Sequence, residues 1–265
     1  MKKKIGFIAF KQPLHVFLVS LSMMFLHNPN AQPQKVVGTK NIVVVHGAFA
    51  DGSGWESVFK ILKSHGYNVS MVQNPLSSLE DDVAATERVI DKQDGPVVLV
   101  GHSWGGSVIT QAGASSKVRS LVYIAAFIPE VGETTLDLIK TAQPAPENGI
   151  LPPDDKGFIW YDKKKFHAGF AADLPAEKAE FMFASQAPIA VKSFLTPLTA
   201  AAWKSKPSYA VVATEDKSIS PDLERTMYKR AGSVVTEIKG SHALYISQAK
   251  AIAEVIERAA KSATN

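Results

Sequence analysis

The stretch VVLVGHSWGGSVITQAG, residues 97–113, constrains the fold more than any other part of the chain. Its opening VVLV is a continuous apolar run, as expected of a parallel strand covered on both faces. SVITQAGA, which follows the glycines, reads as an amphipathic helix. Between them, Gly101, Ser103 and Gly105 fit G-x-S-x-G, with Gly106 next. That pattern suits a sharp strand-to-helix turn holding the serine in a strained conformation at the sheet's carboxyl edge. A Cβ two residues before or after the serine would collide with neighbouring backbone, so glycine is required there. The helix then aims its unpaired N–H groups at any anion that develops beside the serine.

The remaining chain keeps the same rhythm. Candidate strands are Ile42–Val45, Asn68–Val72, Val97–Val100, Ser120–Ala125, Tyr209–Ala213 and Val234–Ile238. Helical patterns fall at Trp55–Ser64, Leu79–Lys92, Ser103–Ala114, Pro221–Arg230 and Ala243–Ala260. This alternation predicts an α/β fold, a doubly wound, mainly parallel sheet of about six strands. From about residue 129 to 207 the rhythm stops, and prolines and aromatic residues take over. A structureless loop of that length does not suit a compact domain, so the segment is expected to be a mostly helical cap over one end of the sheet.

A nucleophilic serine needs a base, and the base an orienting acid, here in the chain order serine, acid, histidine. His242, after the last strand and before the final helix, is placed at the same sheet edge as Ser103. The turn after the fifth strand offers adjacent carboxylates, Glu215 and Asp216. Asp216 is preferred because it stands farther beyond the strand end, with Glu215 as the alternative. His46 and His102 adjoin the site as shaping neighbours. An oxyanion hole needs two backbone donors. One is expected from Trp104, directly after the nucleophile, and the other from the loop after the first strand, at Ala48 or Phe49. Phe49, Trp160, Phe170 and Phe181 are candidate substrate contacts; the same rings could equally pack the cap onto the body.

The first 31 residues read differently. MKKK followed by the apolar run Leu14–Leu26 has the form of a secretory signal, too short for a comfortable membrane span. The mature domain is then expected over 32–265, exported to the periplasm or outside the cell, with no integral membrane domain. The formal charge of +4 comes from that leader, which holds four lysines and no acid. With 29 basic and 25 acidic residues in total, removing four lysines leaves 25 of each, so no nucleic-acid partner is indicated. The absence of cysteine rules out disulfides and a thiolate nucleophile. A homodimer is left open by the sequence.

These residues resemble the α/β-hydrolase superfamily. More narrowly, VVVHGAFADGSGW, LVGHSWGG, LVYIAAFIP, PLTAAAWKSKPSYAVVATEDKSI and GSHALYISQ are similar to bacterial carboxylesterases of the branch that contains plant hydroxynitrile lyases and methylesterases. The resemblance covers about residues 41–260. It implies Ser103 as nucleophile, His242 as base, Asp216 as acid, and Ala48 and Trp104 as oxyanion donors. It also implies a helical cap over the pocket. Two departures bear on the chemistry. The plant lyases carry a threonine where this chain has Gly47, and a lysine that stabilises the leaving cyanide where this chain has Ala243. The implied activity is therefore hydrolysis of small, largely apolar carboxylic esters by a serine mechanism that needs no metal or organic cofactor. Amide, lactone or perhydrolysis chemistry, cyanohydrin cleavage, and a binding protein without turnover are the alternatives.

Overall fold

In the computed structural model, residues 38–263 are described. The expected leader, 1–31, lies outside them, and among the described residues no helix is long and apolar enough to cross a membrane.

Along the chain, β1 (Asn41–Val45) leads into α1 (Glu56–Ser64), β2 (Asn68–Val72), α2 (Leu79–Asp91), β3 (Val97–Ser103), α3 (Trp104–Ala112) and β4 (Val118–Ala126). The cap segment follows, with α4 (Thr135–Ile139), β5 (Phe158–Ile159), α5 (Phe166–Phe170), α6 (Ala176–Ala184), β6 (Ile189–Ala190) and α7 (Val191–Leu195). The body resumes with β7 (Ser208–Ala213), α8 (Pro221–Arg230), β8 (Val234–Ile238), α9 (Leu244–Ser247) and α10 (Ala249–Ser262).

Six strands pair in the order β2-β1-β3-β4-β7-β8, every pair parallel. All residues of β1 and β3 are buried. Successive strand side chains point to opposite faces, so these central strands are covered on both. The edge strands β2 and β8 are partly exposed, and their mixed polar sequences fit that position. Helices α1 and α10 pack together, as do α2 and α3. Along α10, Ile252, Val255 and Ile256 are buried, each worth about 1.5–3 kcal/mol over an exposed side chain.

The six strands and five body helices thus lie where the sequence pattern puts them, with two differences. The final helix is broken: Gln248 leaves helical geometry at φ −114°, ψ 32°. The break lets Leu244 and Tyr245 be buried separately from the stripe of α10, with Tyr245 stacked on Trp55 at 4.7 Å. The cap also holds an antiparallel ribbon, β5 with β6, that the sequence reading did not foresee. Its four helices are short, and long irregular stretches join them.

Candidate active site

The sheet order reverses between β1 and β3, because β2 lies outside β1 while β4 lies beyond β3. In open parallel sheets, ligands settle in the crevice at the strands' carboxyl ends at such a switch point. Ser103 ends β3 there, and the loop His46–Phe49 leaves β1 beside it. The serine adopts φ 53°, ψ −122°, a left-handed backbone that a non-glycine residue rarely takes. The glycines make this turn feasible. A Cβ on Gly101 would come within 2.5 Å of the Gly105 carbonyl oxygen, and one on Gly105 within 2.4 Å of the Val45 oxygen.

His242 leaves β8 toward the same edge. Its Nδ1 meets Asp216 Oδ2 at 2.5 Å, with both side chains almost wholly buried. The other Asp216 oxygen accepts from the N–H groups of Ser218 and Ile219, at 2.7 and 2.9 Å. Asp216 is thus fixed by its own turn before it meets the histidine. The neighbouring carboxylate, Glu215, is exposed and pairs with Lys239 at 3.5 Å. Ser103, 8% exposed, and His242 line one cavity of about 230 Å³.

Two neighbouring histidines, His46 and His102, brace the site. His46 Nε2 accepts from the Asn74 N–H at 2.9 Å, so its proton sits on Nδ1, which donates to the Gly47 carbonyl at 2.8 Å. Burial lowers its pKa, which favours this neutral form. His102 is buried completely, and burial followed by the nearby His242 pushes its pKa well down. Its neutral ring donates from Nε2 to the His242 carbonyl at 2.9 Å. His102 therefore holds the backbone of the histidine that faces the cavity.

The oxyanion candidates separate clearly. Trp104 opens α3, where the first N–H groups have no partner inside the helix. Phe49, offered as an alternative donor, is excluded because its N–H already donates to the Ala187 carbonyl at 3.0 Å. Ala48 remains from the first loop. The Trp104 side chain is itself anchored, with Nε1 donating to Asp82 Oδ2 at 2.7 Å. The other Asp82 oxygen accepts from the Leu76 N–H at 2.7 Å. Burial raises the Asp82 pKa to about 6 even though both hydrogen bonds act to lower it.

Four candidate substrate contacts divide evenly. Phe49 and Phe170 line the cavity; Trp160 and Phe181 do not. Trp160 follows β5, where alternation turns its neighbours Ile159 and Tyr161 inward and leaves it 39% exposed. Its indole N–H donates to Asp154. Phe181 lies on the outer face of α6 and is 62% exposed. In their place the cap contributes Leu136, Ile139, Ile159, Tyr161 and Phe194. The inward pair Ile159 and Tyr161 could have been found from strand alternation, had the short ribbon been recognised. Among the lining residues none is an Asp, Glu, Lys or Arg.

A serine at positive φ between strand and helix, at a parallel sheet's switch point and in one cavity with a carboxylate-held histidine, has the strand–turn–helix geometry of the G-x-S-x-G turn in α/β hydrolases. The chain belongs to the Alpha/beta hydrolase family, whose model matches residues 42–255. It is 31% identical over 156 residues to a carbendazim-hydrolyzing esterase of Nocardioides sp. (strain SG-4G), a match spanning 52% of this chain and 61% of that enzyme. A pyrethroid hydrolase of Sphingobium wenxiniae is 25% identical over 82% of this chain and 86% of its own length. Among solved structures, polyneuridine aldehyde esterase superposes with a TM-score of 0.73 at 18% identity, covering 82% of this chain and 98% of that one. That structural likeness speaks to the fold.

Proposed function

We propose that the protein is a serine hydrolase of small, largely apolar carboxylic esters, acting through an acyl-enzyme. The observation that carries this reading is that the strained Ser103 and His242 line one cavity free of charged side chains, while the buried Asp216 holds His242 Nδ1 from behind it. Ser103 Oγ attacks the ester carbonyl while His242 takes its proton. Asp216 holds the Nδ1–H and steadies the imidazolium. The Ala48 and Trp104 N–H groups meet the oxyanion, typically worth about 3 kcal/mol per donor. His242 then protonates the leaving alcohol, and water repeats the sequence on the acyl group.

The relatives' names, a carbendazim-hydrolyzing esterase and a pyrethroid hydrolase, support the ester class. Two local features weigh against cyanohydrin cleavage. A Cβ on Gly47 would lie 2.7 Å from Ser103 Cβ, so a threonine there does not fit this backbone. The position after His242 holds a buried alanine instead of a cation. Export to the periplasm or beyond is part of the proposal and rests on the leader alone.

The test is hydrolysis of short and medium p-nitrophenyl esters by wild type and Ser103→Ala. Loss of at least about a thousandfold in kcat is expected, leaving only binding and oxyanion effects. A Ser103→Ala enzyme with wild-type turnover would remove the serine mechanism, and a wild type inert on both esters would remove the ester class.

A further inference from the structure

One buried ionisable group has no part in the mechanism above. Glu224 lies in the first turn of α8, wholly buried. Its Oε2 accepts from the Ala213 N–H at 3.0 Å, at the end of β7. Its Oε1 is equally buried and has no conventional hydrogen-bond partner. Ala213 also accepts the Asp216 N–H at 3.1 Å, so the Glu224 carboxyl is anchored on the turn that carries Asp216, and Asp216 acts on it through charge and hydrogen bonding to raise its pKa. Two carboxylates in contact inside a protein repel, and a contact between carboxyls is favourable only when one of them carries a proton. Asp216 is the poorer candidate for that proton, because it already accepts from His242, Ser218 and Ile219.

We propose that Glu224 is a neutral carboxylic acid that donates a hydrogen bond from Oε1 to the Asp216 carboxylate, making it a positioning residue for the His242–Asp216 pair. The inference rests on the reading of Asp216 as the orienting acid. It resolves the orphaned oxygen, since the protonated Oε1 becomes a donor directed at an anion. Glu224 keeps its proton throughout turnover: His242 alone exchanges a proton with Ser103 and the leaving group, and Glu224 joins His242, Ser218 and Ile219 as a donor to Asp216.

The surroundings agree. Burial first, and then the charge of Asp216, push the Glu224 pKa well above its ordinary range. Tyr228, one turn along α8, stays protonated in the same interior and accepts from the Ala126 N–H; Tyr123 on β4 lies beyond it. His242 meets Asp216 at Oδ2. Arg225 is the nearby cation, and its guanidinium is engaged outward by Glu237 and Asp222. The helix N-terminus favours a charged carboxylate, but Ala213 supplies the one N–H donated to this side chain among the described residues.

The experiment combines infrared spectroscopy with pH–rate profiles on the full chain. At pH 8, where Asp82 with its pKa of about 6 is ionised, wild type should show the carbonyl stretch of a buried carboxylic acid that Glu224→Gln lacks. Absence of such a difference band would overturn the proposal without reference to activity, so it is distinguishable from failure of the serine mechanism. Glu224→Gln retains a donor and should keep the wild-type acidic limb of kcat/KM, with kcat within about threefold. Glu224→Leu loses the donor, and kcat should fall about tenfold, the scale of one hydrogen bond to a charged group. Its acidic limb should also move upward by about half a pH unit, because a less solvated Asp216 holds the His242 proton more tightly. A Leu variant with the wild-type limb, or a Gln variant as impaired as Leu, would each overturn the assignment. Should the Leu variant not fold, the infrared comparison of wild type with Glu224→Gln decides alone.

Discussion

The sheet edge and the cap build the same cavity by different means. At the edge, backbone approaches backbone: the Ser103 turn closes against Gly105 and Val45, and Asp216 is fixed by amides of its own turn. In the cap, side chains do the holding. Phe166 and Phe170 stack at 5.0 Å, and Tyr161 meets both edge-on while also touching Phe49 of the body. Backbone closure tolerates no added atom. A cluster of rings can exchange one shape for another of similar volume at modest cost. The part that would carry the chemistry is therefore rigid, and the part that would select the substrate is adaptable.

The sharpest way to break that contrast is to add one methyl group at the edge. Gly105→Ala places a Cβ 2.4 Å from the Val45 carbonyl oxygen, and the strands cannot part to receive it. Overpacking of this kind costs about 3 kcal/mol, which for a domain of this size lowers Tm by about 6–12 °C. Ester hydrolysis should fall with it, since the turn also sets Ser103. A Gly105→Ala protein with unchanged Tm in calorimetry would show that the edge yields as readily as the cap.

This difference also explains what the sequence made legible. The edge announces itself because each turn has a local chemical requirement: glycines around Ser103, a carboxylate just past β7, a histidine just past β8. Continuous apolar runs marked the central strands for the same reason. The cap has no such grammar. β5 and β6 are two residues each, too short for a periodic signal, so Trp160 and Tyr161 could not be told apart. Phe181 fell in a segment legible only as part of a mostly helical cap, with no helix or face assigned to it. Asp173 and Glu224 were invisible for another reason, since their roles depend on groups 68 residues away or on a neighbour's charge.

Asp173 is where the two regions are joined. From the cap it accepts the Ser241 N–H and hydroxyl, at 3.0 and 2.5 Å, and the Ser247 hydroxyl at 2.6 Å. The Phe170 carbonyl accepts the Ala243 N–H at 3.0 Å. The backbone on both sides of His242 is thus tied to the cap. Asp173 is exposed, so its hydrogen bonds are screened, and Asp173→Ala should cost only about 1 kcal/mol of stability. Freed motion of the His242 loop should lower kcat by about three- to tenfold, the scale of a slightly misplaced catalytic group, while KM changes less. If KM rises and kcat holds, the tie shapes the pocket and leaves the base alone.

The smallest effects should come from rings that the cap turns outward. Phe181→Ser and Trp160→Ser each remove an aromatic side chain, yet both residues face away from the cavity, so kcat/KM should stay within about twofold. Phe170→Leu, a comparable loss of ring area on the inner face, should lower kcat/KM toward bulky esters by about tenfold while sparing a small acetate ester. It removes a wall of the cavity and the ring that meets His242 edge-on at 4.9 Å. The size dependence separates these two roles. A selective loss on bulky esters assigns Phe170 to the pocket wall, whereas equal loss on every ester makes its contact with His242 the dominant one. In that second case the cap would share in placing the base as well as in choosing the substrate, and the boundary drawn here between rigid chemistry and adaptable selection would run through Phe170 itself.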